Sequence, residues 1–151
     1  MKNSFKLLLA FILVIFIFSS CDKKQKEATK ASEISQNNDG LKLMETNCYA
    51  CHNPKAASHD AIIAPPLMAI KNRYGMKYTT KESFVDAIVK WSLDPKQEEA
   101  LMYGAVKQYN VMPKQPFAAA DLKKIATYIY DNEIEVPSWF AEHEKQMHGG
   151  K

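Results

Sequence analysis

Cys48-Tyr49-Ala50-Cys51-His52 is a C-x-x-C-H run, and each residue type in it has a chemical task. Two thiols separated by two residues lie one helical turn apart, so both sulfurs can reach one edge of a porphyrin and add across its vinyl groups as thioethers. The histidine that follows at once presents a ring nitrogen to the iron as the proximal ligand. The run therefore reads as the attachment point of a c-type haem. C-x-x-C also serves redox disulfides and zinc sites. A thioredoxin-like reading wants strands alternating with helices, and the residues around the motif show no strand-like alternation. A zinc reading wants a second pair of ligands, and no cysteine follows Cys51.

Toward the N-terminus, Lys2 and Lys6 precede an unbroken apolar run from Leu7 to Phe18. That run is short for a bilayer core of about 30 Å but has the length of a signal-peptide core. Ser19-Ser20-Cys21 follows directly and resembles a bacterial lipoprotein cleavage site, with Phe18 where that site usually has Leu. An uncleaved N-terminal anchor with Cys21 incidental is the alternative. Both readings put the rest of the chain in the cell envelope, membrane-anchored and facing the periplasm. The three cysteines are then accounted for, Cys21 for lipid and Cys48 and Cys51 for haem, with none left for a disulfide. Residues 1–20 read as a signal peptide, 21–39 as the lipidated cysteine and a flexible linker, 40–136 as the folded domain and 137–151 as a C-terminal extension.

The linker assignment rests on composition. Asp22 to Asp39 is rich in Lys, Gln, Glu, Ser and Asn, and Ile34 is its one large aliphatic residue, so it cannot bury a core. The formal charge of +3 includes Lys2 and Lys6, which leaves +1 from Cys21 onward. With no Lys/Arg stripe interleaved with aromatics, the composition excludes a nucleic-acid binder.

From Gly40 the pattern is helical. Leu41, Met44 and Cys48 recur at three- and four-residue spacing, so a first helix runs into the C-x-x-C-H run. Thr79-Thr80-Lys81-Glu82 predicts a capping box with Thr79 as N-cap, ahead of Phe84, Ile88 and Trp91 on one face. Asp94-Pro95-Lys96-Gln97 predicts another helix start, continued through Leu101, Ala105 and Tyr109. Asp121 falls in the first turn of a last helix striped by Leu122, Ile125, Ala126 and Ile129. The expected fold is all-α, about four helices around one covalently bound haem, since so small a helical core is marginal without a group at its centre.

The segment from Gly40 to Asp131 resembles a class I, mono-haem cytochrome c of the bacterial membrane-anchored lipoprotein type. Asp39-Gly40-Leu41-Lys42-Leu43-Met44 is similar to that family's first helix, in which a glycine lets the C-terminal helix cross closely. Ile125-Ala126-Thr127-Tyr128-Ile129 is similar to the crossing helix. Ala64-Pro65-Pro66-Leu67 resembles the family's Gly-Pro-x-Leu loop, with Ala64 in place of the glycine. The resemblance implies that the Pro65 carbonyl accepts the proximal histidine's ring N–H and raises its basicity. Met112-Pro113, in a loop before the last helix, resembles the family's Met-Pro ligand loop. It implies axial iron ligation by His52 and Met112, with Met102, Met76 or an open site as the alternatives. Met44 and Met102 read as core residues.

Arg73 and Trp91, with Tyr74 and Tyr78, are candidates for propionate contacts; core packing is the alternative for Trp91 and a solvated charge for Arg73. His59 reads as a surface-loop residue. In the extension, Trp139 and Phe140 read as a staple onto the domain while the end frays, with partner docking as the alternative. His143 and His148 lack a convincing third metal ligand. The resemblance implies a one-electron carrier of a respiratory chain, not an enzyme, with haem c and its iron as cofactor. The implied partners are a quinol-oxidising complex or a terminal oxidase or reductase, and the membrane through the lipid. A fixed haem subunit of a larger oxidoreductase is one alternative; a gas sensor or peroxidase-like protein, should the distal site be open, is another.

The anchor reading has a direct test. Cys21→Ser should block cleavage before position 21 and abolish lipid labelling, and unchanged mass and membrane partitioning in that variant would refute it.

Overall fold

Helix α1, helical over 38–47, carries Leu41 and Met44 inward and delivers the chain straight into the cysteine motif. The computed structural model describes residues 38–148; the signal run, Cys21 and the linker before Asn38 lie outside the described residues. Five further helices follow: α2 (Leu67–Lys77), α3 (Lys81–Leu93), α4 (Tyr103–Tyr109), α5 (Ala119–Asp131) and α6 (Phe140–His148). Short 3-10 turns occupy His59–Ala61 and Gln97–Glu99. No strand occurs among the described residues, in agreement with the all-α expectation.

Several boundaries differ from the sequence reading. The N-cap of α3 is Thr80, not Thr79: its side chain accepts from the Ser83 backbone N–H, and Ser83 Oγ returns a hydrogen bond to the Thr80 carbonyl at 2.9 Å. Serine at the third helical position closes the cap, but as a donor to the Thr80 carbonyl, not as the acceptor for the N-cap N–H that Glu82 was expected to be. The helix expected to run from Pro95 through Tyr109 is broken. Lys96 and Lys114 draw the Asp94 carboxylate into ion pairs at 3.1 and 3.0 Å. Only a 3-10 turn forms before Ala100 is buried, and α4 starts afresh at Tyr103. Helix α2 was not anticipated, because only Leu67 and Tyr74 on it are buried and its stripe is too sparse to stand out. The extension, expected to be stapled by Trp139 and Phe140, forms the unanticipated helix α6; residues 149–151, where fraying was expected, lie outside the described residues.

The core is built mainly where α3 packs on α5. Phe84, Ile88 and Val89 meet Leu122, Ile125, Ala126 and Ile129, and Met44, Leu67, Tyr74 and Ile134 close the cluster. All four residues expected to form the α5 stripe are buried. The ends of the α3/α5 pair are tied from outside: Lys81 pairs with Asp131, and Lys71 Nζ donates to the Asn132 carbonyl at 2.6 Å.

Helix α1 reaches this core by lying directly on α5. A Cβ on Gly40 would stand 2.7 Å from both the Lys124 carbonyl oxygen and the Tyr128 Cβ, closer than such atoms approach. The family's close crossing therefore exists here, and only a residue without a side chain permits it. An Asp39–Lys124 ion pair at 3.2 Å flanks the contact. Because the obstruction is partly backbone, Gly40→Ala should destabilise the folded protein by about 1–3 kcal/mol, as overpacking does. Denaturant unfolding measures this, and a loss below about 0.5 kcal/mol would show that α1 and α5 separate without cost.

Candidate functional site

The C-x-x-C-H run forms one further turn on the end of α1. Cys48 N–H donates to the Met44 carbonyl at 2.8 Å, and Cys51 and His52 N–H both donate to the Cys48 carbonyl, at 3.1 and 2.9 Å. The turn ends where the Asn53 side-chain oxygen accepts from the Lys55 N–H at 2.8 Å, an Asx turn that competes with helix. Both cysteines are free thiols, Cys48 half-buried and Cys51 exposed. Burial, and next to it the neighbouring Cys51, pushes the Cys48 thiol up to about 11, so at neutral pH it carries its proton.

His52 is fixed by one bond. Its Nδ1 lies 2.6 Å from the Pro65 carbonyl oxygen. A carbonyl can only accept, so Nδ1 bears the proton and Nε2 keeps its lone pair. Burial, acting against the Pro65 bond, holds His52 below its ordinary range, which keeps the imidazole neutral. A neutral ring with a free Nε2 is the form that ligates a metal.

Met112 is half-buried in the non-helical stretch between α4 and α5. Asn110, the residue that ends α4, has φ 66° and ψ 177°, the one positive-φ non-glycine residue among those described. That region is nearly reserved for glycine and costs roughly 1–3 kcal/mol. It turns the chain sharply out of α4 two residues before Met112. Downstream, the Lys114–Asp94 ion pair ties the same loop to the end of α3. The sequence reading named Met112 but neither of these supports; Asn before a Val-Met-Pro stretch was the available signal.

The structure does not bring the other candidates together with the motif. Arg73 sits on the exposed side of α2, and its Nε donates to the Leu101 carbonyl at 3.3 Å. Trp91 is half-buried in the last turns of α3. Tyr74 is a core residue, pushed up to about 12 mainly by burial, and packs against Tyr78 and Phe84. Arg73 and Tyr78 instead help line a cavity of about 1120 Å³, together with Met76, Met102, Trp139 and His143. Cys48, Cys51, His52 and Met112 are not among its walls. His59, expected on the surface, is half-buried: its ring stacks on His143 and its Nε2 lies 3.4 Å from the Tyr109 hydroxyl. Among the described residues, no three His, Cys, Asp or Glu side chains are grouped to hold a metal ion.

The donor set at the motif fits a covalently attached iron porphyrin: two free thiols on one turn, and next to them a neutral imidazole whose Nε2 is available. Compared with protein families, residues 38–132, more than half of the chain, match the family described as Cytochrome c. The match spans α1 to α5 and ends before α6. No curated protein and no solved structure matches the chain.

Covalent attachment predicts that the colour survives acidified acetone and that the protein gains one haem mass. Replacing Cys48 and Cys51 together by Ala should release the pigment, and retention of it in the double variant would remove the thioether assignment.

Proposed function

The chain belongs to the cytochrome c family, and on that premise we propose that it is a mono-haem electron carrier of a bacterial respiratory chain, held at the membrane by an N-terminal lipid. Membership brings covalent haem c with its iron, and the family's general work is electron transfer. The bound haem supplies an iron that gains and loses a single electron. Cys48 and Cys51 hold it, and His52 offers Nε2 as the proximal ligand. The observation that carries this reading is the 2.6 Å contact between His52 Nδ1 and the Pro65 carbonyl, which supports a ring held with Nε2 free for the iron.

Met112 completes the coordination as the second axial ligand. Its loop placement supports this, and so do the positions of its competitors. Met44 is fully buried in the core and Met68 packs against that core, while Met76, Met102 and Met147 line the cavity that Pro65 also borders. A thioether favours ferrous iron, and two strong axial ligands leave no position for a substrate, which suits electron transfer rather than catalysis. Cys51 is exposed, which supports electron exchange from the attachment turn with a quinol-oxidising complex or a terminal oxidase or reductase.

In this reading the lipid is carried by Cys21 and the domain faces the periplasm; the signal run and its cysteine are what support it. No helix among the described residues is long and apolar enough to cross a membrane, and the proposed anchor lies before them.

Met112→Ala should abolish the weak sulfur-to-iron charge-transfer band of the oxidised protein, lower its reduction potential and admit carbon monoxide to the reduced iron. Met102→Leu should leave the band in place and cost at most about 1.5 kcal/mol of stability. Loss of the band in Met102→Leu with its survival in Met112→Ala would reverse the ligand assignment. A wild type without the band that binds carbon monoxide at once would replace the carrier by a sensor or an enzyme.

A further inference from the structure

Thirteen positions separate His52 from Pro65, and the loop between them has little of its own to hold it. Its internal hydrogen bonds are local: Ala56 N–H to the Asn53 carbonyl at 3.4 Å, Ala61 N–H to Ser58 at 3.1 Å and Ile62 N–H to His59 at 3.5 Å. The loop nevertheless has to present the Pro65 carbonyl to His52 at 2.6 Å. A carbonyl that drifted outward by a fraction of an ångström would weaken that bond and the ring basicity it confers.

The segment that braces this loop comes from beyond the family match. Trp139 Nε1 donates to the Ala56 carbonyl at 2.9 Å, across 83 positions of sequence. Four residues into α6, His143 lays its ring on His59, with centroids 4.6 Å apart and planes within 23°. Trp139 meets both imidazoles edge-on, at 5.6 Å from His59 and 5.9 Å from His143. Tyr109, from the end of α4, faces the other side of His59. The brace is itself anchored: Pro137 is fully buried, Phe140 is 6% exposed and Ala56 is 7% exposed. Ring contacts and the Trp139 hydrogen bond thus add long-range restraints to a loop whose own bonds are local.

We propose that α6 is a clamp on the proximal loop: Trp139 and His143 are positioning residues that act through Ala56 and His59 to hold the Pro65 carbonyl against His52. The clamp rests on the reading of His52 as the iron ligand. It raises the electron donation of the imidazole and so stabilises the ferric state. Releasing it raises the reduction potential and exposes the ring N–H to solvent.

The test uses the full-length, haem-loaded protein. Trp139→Phe keeps the ring and removes the N–H donor, His143→Leu removes the stack, and Lys145→Gln changes an exposed residue of the same helix as a control. Deuterium exchange of the His52 Nδ1 proton is followed by nuclear magnetic resonance of the ferrous protein, and the potential is titrated in parallel. Both clamp variants should speed exchange at least tenfold. They should also raise the ferrous-to-ferric ratio at fixed potential threefold or more, about 30 mV. The control should do neither. Wild-type exchange and potential in both clamp variants would overturn the proposal and leave α6 as packing alone. Should Trp139→Phe fail to retain haem, His143→Leu decides by the same two readouts. Wild-type His52 ring resonances without the shift of an iron ligand would remove the ligation reading itself. Shifted resonances with unchanged variants would remove only the clamp.

Discussion

The hydrogen bond from His52 Nδ1 to the Pro65 carbonyl joins the end of α1 to the start of α2, and the rest of the domain is arranged around keeping those two ends together. A metal ligand needs its lone pair free and its ring direction fixed. An imidazole on an exposed turn has neither, because water can hydrogen-bond either nitrogen. Here proline serves as the acceptor at a position where it donates nothing itself, and its neighbour Pro66 caps a helix that leads away into the core. The residue that fixes the ligand is thus followed directly by the one that starts the helix whose Leu67 and Tyr74 anchor the loop's far end.

Keeping α1 in register is the second half of that task. The C-x-x-C-H turn inherits its position from α1, and α1 is placed by the contact at Gly40, where helix backbone meets helix backbone without a side chain between. Met44, one turn on, is fully buried against the α3/α5 core. A displacement of α1 would thus open the core and move both cysteines at once. Stability and cofactor geometry are the same set of contacts in this domain, which is why a chain this small can position a prosthetic group larger than any of its side chains.

Beyond the family's region the chain uses its last described helix differently. Instead of a loose tail, α6 brings aromatic and imidazole rings onto the loop that the core does not reach, and closes one side of a cavity walled by α2, α4 and its own residues. His143, one of the two histidines that could have suggested a metal site, instead stacks on His59. Exposed Met76, Tyr103 and Met147 ring that cavity, while Cys51, also exposed, is not among its walls.

The sequence by itself determined the cofactor chemistry and the helical class. Cys48, Cys51 and His52 need only one turn of helix to come together, and the α5 stripe shows a strong 3.6-residue period. Pro65 was legible only through resemblance to a family loop, since nothing local links it to a histidine 13 residues away. Local rules also missed where tertiary contacts outweighed them. Thr80 replaced Thr79 as cap, exchanging hydrogen bonds with Ser83, and the Asp94 ion pairs and burial of Ala100 accompany the break in a helix that propensity favoured. Trp139 and Phe140 were legible as a staple onto the domain, but not what they hold; His59 and His143 gave no signal of a contact with each other. Only the fold, by carrying position 139 back to position 56, supplies the partners. Chemistry that fits within a helical turn is written in the chain; chemistry assembled from distant segments is decided by packing.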